Sequence, residues 1–336
     1  MSCYHPLEAF DISPIDRVPG TPRTISFRSP ATLKDRQALI SAGRQLMLPC
    51  GQCIGCRLAY SRDWANRCML ELPYHDSAWF VTLTYDDKHL PRSWSVDPDT
   101  GEVLAPSATL RKRDFQLFMK LLRRHFPDDH IRFFAAGEYG TESLRPHYHV
   151  IIFGLHLQDL VLYKRSILGY NYFNSESLSR CWIDGSDGSS RGYVVAGAVS
   201  WDTCAYVARY MLKKRKGAQR ASYEYLGLEP EFSLMSRKPG LGAQYYFDHP
   251  ECMNYDKINI CTPSGGRSFS HPRYLRHLYE IDDPVSAELL SETLKQRALA
   301  SQKVKFSLTD KEYFDILCDE EDRQRSRAKS LFRNLV

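Results

Sequence analysis

The chain has 336 residues, 43% hydrophobic and 25% charged, with 19 glycines and 18 prolines. These proportions exclude a disordered, collagen-like or low-complexity chain and leave room for one large domain or two smaller ones. No apolar stretch approaches the roughly 20 residues needed to cross a bilayer. The opening Met-Ser-Cys-Tyr-His-Pro is followed by Glu8, Asp11 and Asp16 without the apolar core of a secretory signal, so an intracellular, water-soluble protein is expected. Ten cysteines are too few for a disulfide scaffold; in a reducing cytosol their clustering points to metal ligation. The net charge of +5 names no partner, but its distribution says more. Arg111–His125 holds six Lys/Arg against one acid, and Met211–Arg220 holds five against none. Two basic segments in a balanced chain suggest a polyanion-facing surface, although solvated helix faces have the same composition.

Pro6, Pro14, Pro19, Pro22 and Pro30 make the first part of the chain loop-rich, ahead of the cysteine cluster. Ala78–Tyr85, rich in aromatic and β-branched residues, predicts a strand. Phe115, Phe118, Leu122 and Phe126 follow helical spacing among basic residues. Ile131–Glu138 and His147–Phe153 predict two strands, joined as a hairpin through Gly140 and Pro146. Asp184–Gly192 has the composition of a mobile loop. Tyr193–Val199 predicts a strand, and Asp202–Lys214 a helix capped by Asp202 or Thr203. After Pro284 the pattern is helical, with Thr309 and Glu312 at capping-box spacing. There, Asp319–Asp322 gives way to Arg323, Arg325, Arg327 and Lys329 on a solvated helix. Strands and helices alternate irregularly, which favours an α+β fold. The organisation expected is a loop-rich cysteine module over 1–77, a core over 78–250 and a mostly helical extension over 251–336.

The first chemical signal is Arg145-Pro-His147-Tyr-His149. Alternate residues of a strand share a face, so the two imidazoles stand about 7 Å apart, and Glu138 reaches the same face across the hairpin. Two imidazoles and a carboxylate suit Mn²⁺ or Fe²⁺, and hold Mg²⁺ when water and phosphate complete the shell. Alone, a His-x-His is more often a pair of structural histidines. Sixty residues on, Tyr206 and Tyr210 lie four apart on one helix face, with Lys213 a further turn along. Such a pair is by itself commonly an aromatic core stripe. Cys50-x-x-Cys53-x-x-Cys56 has metal-ligand spacing, with Cys3 or Cys68 as fourth thiolate and His5 as a rival ligand. Structural zinc suits it better than an iron–sulfur cluster, because Tyr60-Ser61 stand where a ferredoxin pattern wants Cys-Pro.

In order, Phe80-Val-Thr-Leu-Thr-Tyr85, Arg145-Pro-His-Tyr-His149 and Tyr206-Val-Ala-Arg-Tyr210-Met-Leu-Lys213 resemble the three motifs of HUH endonucleases that initiate rolling-circle replication. The resemblance is nearest to replication initiators of microviruses, single-stranded DNA phages, in their gokushovirus branch. Pro49-Cys-Gly-Gln-Cys-Ile-Gly-Cys-Arg57 and Met235-Ser-Arg-Lys-Pro-Gly-Leu-Gly242 are similar to further signatures of that branch, so the resemblance covers roughly residues 1–245. One departure is Tyr148 between the histidines, where relatives carry an aliphatic residue; its side chain belongs to the other face.

The resemblance implies a central antiparallel sheet flanked by helices, and a metal-dependent nicking and rejoining enzyme. His147, His149 and Glu138 would hold Mg²⁺ or Mn²⁺. Tyr206 and Tyr210 would be alternating nucleophiles forming a 5′-phosphotyrosyl link, with Lys213 stabilising charge. It also favours Cys3 as the fourth zinc ligand, as an early cysteine just before a proline. The implied partners are single-stranded or supercoiled phage origin DNA and the host helicase and polymerase, in the cytoplasm of a bacterial host. Arg145, Lys214, Arg215, Lys216, Arg237 and Lys238 are candidate DNA contacts, the last two on a glycine-bearing loop suited to phosphate. Three rival readings use parts of the same evidence. They are a metal-dependent oxygenase, a non-catalytic zinc-containing nucleic-acid-binding protein, and a plasmid-type HUH initiator, relaxase or transposase.

Overall fold

Residue contacts group Met1–Tyr60 with Pro250–Val336 in one unit and Ser61–His249 in a second. The boundaries drawn from composition, after residues 77 and 250, follow loop density. The contacts instead bring the two ends of the chain together. A computed structural model describes residues 3–28, 30, 32–140, 143–166, 169–210, 221–262 and 265–331.

The first unit begins with a three-stranded antiparallel sheet of β1 (Leu7–Asp11), β2 (Ile25–Ser26) and β3 (Gln45–Leu48), in the order β2-β1-β3. Helix α1 (Leu33–Ser41) precedes β3 and starts at Thr32, whose hydroxyl accepts from the Asp35 N–H. Helix α2 (Ile54–Glu71) starts in this unit and ends in the second.

In chain order the second unit holds β4 (Ala78–Thr84), a small ribbon of β5 (Arg92–Ser93) and β6 (Ser107–Ala108), and α3 (Lys112–His125). The strands β7 (Arg132–Tyr139), β8 (Pro146–Phe153), β9 (Leu160–Arg165) and β10 (Asn171–Ser175) follow. Then come α4 (Glu176–Ser179), β11 (Val194–Ala198), α5 (Trp201–Tyr210), α6 (Ala221–Tyr225), β12 (Phe232–Met235) and α7 (Ala243–Asp248). Seven strands form one sheet in the order β12-β7-β8-β4-β11-β10-β9, with every pair antiparallel. The predicted hairpin is β7 against β8, with Glu138 opposite His147.

Alternation gives this sheet two different faces. Val81 and Leu83 of β4 and Tyr148, Val150 and Ile152 of β8 turn one way, into a core completed by Phe115, Phe118 and Leu122 of α3 and by Trp182. Each fully buried side chain of this size stabilises the fold by roughly 1.5–3 kcal/mol. Tyr148 lies on this face, as its position between the histidines requires. Its hydroxyl hydrogen-bonds that of Tyr85 at 2.8 Å and donates to the Arg111 carbonyl at 2.9 Å. Phe134, Glu138, His147, His149, Phe80 and Thr82 have the opposite parity, and α5 packs on that side against β7 and β8.

Three local expectations need correction. Helix α5 is capped by Ser200, not Asp202 or Thr203 as N-cap: the Ser200 hydroxyl accepts from Thr203 N–H at 3.2 Å and the Thr203 hydroxyl from Ser200 N–H at 2.8 Å. The loop Asp184–Gly192 is pinned rather than loose, because buried Arg191 pairs with Asp114 at 2.8 Å and with Asp184 at 3.1 Å. Gly192 crosses beside β4 at φ +144°, where a Cβ would sit 2.3 Å from the Thr84 carbonyl oxygen.

The first unit resumes with the hairpin β13 (Ile258–Thr262) and β14 (Gly265–Phe269), then α8 (Arg273–Asp282), α9 (Pro284–Ser307) and α10 (Tyr313–Leu331). Thr309 and Glu312 do not form a capping box, since both precede α10 and the Thr309 hydroxyl accepts from Lys311 N–H at 3.3 Å. Nor is α10 wholly solvated. Leu317 and Tyr313 pack against the cysteine cluster, and buried Glu321 meets His5 at 2.7 Å. Among the described residues, no helix is long and apolar enough to cross a membrane.

Candidate active site and metal centres

Pairing of β7, β8 and β4 lays side chains out in rows across the sheet. Glu138, His147 and Thr84 form one row; Ala136, His149 and Thr82 form the next; Phe134, Ile151 and Phe80 form the third. The imidazoles turn toward each other, with ring centres 4.9 Å apart at 86°, closer than the spacing of their backbones implies. Glu138, 1% exposed, lies beneath both: its Oε1 is 2.6 Å from His147 Nε2 and 3.3 Å from His149 Nε2. Burial alone would raise this carboxyl, but the hydrogen bonds from His147 and His149 outweigh it and hold it at about 2. It is a carboxylate at any physiological pH.

The other ring nitrogens decide what the site can bind. His147 Nδ1 lies 3.0 Å from the Arg145 carbonyl oxygen, which only accepts, so Nδ1 carries the proton and Nε2 offers its lone pair. His149 Nδ1 lies 3.0 Å from Thr82 Oγ1, and donation there gives the same tautomer. Carbonyl and hydroxyl partners on the distal nitrogen are what metal-ligating histidines use. One oxygen and two nitrogens converge within 4.8 Å of one another. The donor set therefore fits a divalent ion, with positions left for water or phosphate oxygens.

Helix α5 brings a tyrosine to this point. Cys204, Ala205, Val207 and Ala208 are buried and seat the helix. Ser61 Oγ donates to the Ala205 carbonyl, and Trp201 Nε1 to Asn66 Oδ1, both at 3.4 Å. Half-buried Tyr206 then stands edge-on to His149, ring centres 5.2 Å apart, and to Phe80 at 5.9 Å. Phe80 in turn stacks on His149 at 5.5 Å. Tyr210 belongs to the same helix, but its side chain lies outside the described residues, as do Lys213, Lys214, Arg215 and Lys216.

The remaining sequence candidates fall into two places. Arg145 bridges the hairpin to the end of β4, pairing with Asp87 at 2.6 Å and donating to the Tyr85 carbonyl at 2.8 Å. Arg237 and Lys238 are exposed on the loop between β12 and α7, where Lys238 adopts φ +60°. That loop is held from below by charged groups that sequence reading missed. Buried Glu71 accepts from Gly242 N–H at 2.8 Å, from His75 Nε2 at 3.1 Å and from Arg132 Nε. Arg132 also donates to the Pro239 carbonyl at 2.9 Å, and Arg67 to the Leu241 carbonyl at 3.0 Å. Residues 71 and 242 carry no local pattern that would announce this pairing.

In the first unit Cys3, Cys50, Cys53 and Cys56 converge, again within 4.8 Å. Cys68 is not part of the group: it is fully buried in the second unit beside Cys204. Backbone N–H groups point at the sulfurs, from Tyr4 to Cys53 at 3.4 Å, from Cys50 to Cys3 at 3.3 Å and from Cys53 to Cys50 at 3.3 Å. Burial raises a thiol, yet the N–H groups of Tyr4 and Cys56 bring Cys53 down to about 7. Four sulfurs with thiolate-stabilising donors fit a tetrahedral metal ion.

A mixed α/β protein with an antiparallel sheet, a Glu/His₂ ligand set and a tyrosine at its edge is thus the class defined by fold and site. The family of replication-associated proteins typified by ORF2 matches residues 78–215. The replication-associated protein ORF2 of Spiroplasma virus 4 is 32% identical over 297 residues, covering 86% of this chain and 85% of the relative. Replication-associated protein VP4 of Bdellovibrio phage phiMH2K is 29% identical over 248 residues, 70% of this chain and 68% of the relative. Replication-associated protein ORF4 of Chlamydia phage 1 is 27% identical over 266 residues, 75% and 59% respectively. The chain belongs to this family of phage replication-associated proteins, as a microvirus-like replication initiator. No solved structure matches it.

Proposed function

We propose that the chain starts rolling-circle replication by nicking the origin strand of phage DNA with a tyrosine and later rejoins the ends. The observation that carries this reading is Tyr206 standing 5.2 Å, ring to ring, from a histidine of the Glu138–His147–His149 set. Mg²⁺ or Mn²⁺ held by those three residues supplies a Lewis acid and a template for the scissile phosphate. Glu138 stays ionised, and the Arg145 carbonyl and Thr82 hydroxyl keep the imidazoles turned inward.

Tyr206 or Tyr210 attacks phosphorus in line. The tyrosine O–P bond forms, the P–O3′ bond breaks, the phenol proton is released and the 3′-oxygen takes up a proton. The products are a 3′-hydroxyl, which the host polymerase and helicase use, and a 5′-phosphotyrosyl link. A phenol with an ordinary pKa near 10 needs help to lose its proton, and Lys213 serves by stabilising the phenolate and phosphate charge. The second tyrosine attacks the regenerated origin, so one site both opens and closes the circle. Arg145, Lys214, Arg215, Lys216, Arg237 and Lys238 contact the DNA backbone. The four cysteines hold a structural zinc.

The test is His147→Ala and His149→Ala, each assayed for nicking and for binding to phage single-stranded DNA. Nicking falls at least about a hundredfold while binding stays within a few-fold, because phosphate contacts elsewhere carry affinity. Parallel loss of both activities in a well-folded variant contradicts the reading.

A further inference from the structure

Helix α8 carries Arg273 and Arg276, three apart and therefore on one face. Both line a cavity of about 440 Å³ in the first unit, whose other wall is the segment holding Arg17 and Arg23. Gly20 lets that segment approach α9: its φ is +83°, and a Cβ there would fall 2.9 Å from the Pro284 side chain. Glu288 of α9 accepts from both Arg17 and Arg23, the latter at 3.0 Å, so two guanidiniums share one carboxylate. With Glu280 as the other acid, four guanidiniums line this cavity against two carboxylates. An adjoining cavity of about 250 Å³ shares Arg17, Arg23 and Glu288 and adds Arg44 and Lys295 against Asp11. Shared walls make the two a single groove with positive excess along its length.

A structural ion-pair cluster matches its charges and closes over them. Here guanidiniums outnumber carboxylates, Arg23 is 45% exposed, and the space between the walls is open. Tyr279 also lines the groove and offers an aromatic face. Guanidiniums for phosphates beside a ring for bases is the chemistry that holds single-stranded nucleic acid. We propose that this groove is a second binding site for single-stranded DNA, made entirely by the first unit and separate from the nicking chemistry. It rests on the reading that the protein works on a single strand.

The experiment compares the intact protein with Arg273→Ala/Arg276→Ala and with Arg273→Lys/Arg276→Lys, using fluorescence anisotropy on labelled oligo(dT) of about 40 nucleotides across a salt series. The alanine pair should bind about tenfold more weakly near 0.1 M salt, with a log–log salt slope shallower by about 1.4, while the lysine pair retains most of both. Unchanged affinity and slope in the alanine pair overturns the proposal, as does a lysine pair as weak as the alanine pair, which would mean a packing role. Covalent adduct formation on phage single strands is scored separately in the same preparations. Its absence from the unmodified protein counts against the nicking reading, whereas the anisotropy result alone decides the groove.

Discussion

His149 takes its orientation from Thr82, a residue 67 positions earlier on the neighbouring strand. Thr82→Val keeps the β-branched shape that the sheet favours and removes the acceptor for Nδ1–H. Calorimetric titration of the zinc-loaded protein with Mn²⁺ should show affinity reduced about 10–100-fold, with Thr82→Ser close to the unmodified protein. Undiminished affinity in the valine variant would mean that stacking on Phe80 suffices to hold the ring. At this scale the ligand set was legible from sequence, because strand period puts His147 and His149 on one face and a hairpin puts Glu138 opposite. Thr82 was not, although it lies inside a predicted strand. Its role depends on the β4–β8 register, which is a long-range fact.

Among the elements, the loop between β12 and α7 shows how a basic surface is built on a buried acid. Burial would raise the Glu71 carboxyl, but the His75 and Gly242 hydrogen bonds and the Arg132 charge hold it below the usual carboxylate range. Removing one partner of such a buried pair is expensive, so Glu71→Gln should lower stability by about 3 kcal/mol at neutral pH in urea unfolding. Because the folded pKa is depressed, this contribution is complete above the unfolded value near 4.3 and fades as pH falls through the lower folded value. The gap between variant and unmodified protein should therefore close in strongly acidic solution. A gap that does not change with pH would mean that the stabilisation is not carboxylate charge. Composition marked this loop as basic and glycine-bearing. Its anchors, at residues 67, 71 and 132, come from α2 and β7, and nothing local in the sequence links them to it.

The division of the whole chain was the least legible feature. Cys50, Cys53 and Cys56 announced a metal site by spacing, and Cys3 joins them. The tail, read as a solvated helix, instead supplies Tyr313 and Leu317 to that cluster. Pairing of the first residues with the last leaves no periodic trace, whereas period-two alternation revealed β4, β7 and β8 directly. What joins the folded molecule to its role in replication is the tyrosine of α5 beside the Glu/His₂ set. The most direct measurement incubates the protein with phage single-stranded DNA and Mn²⁺, digests the product, and maps the covalently linked peptide by mass spectrometry. The account predicts a 5′-phosphonucleotide on Tyr206 or Tyr210, and no adduct from Tyr206→Phe/Tyr210→Phe, in which both rings still pack. An adduct on any other residue, or one that persists in the double variant, would contradict it.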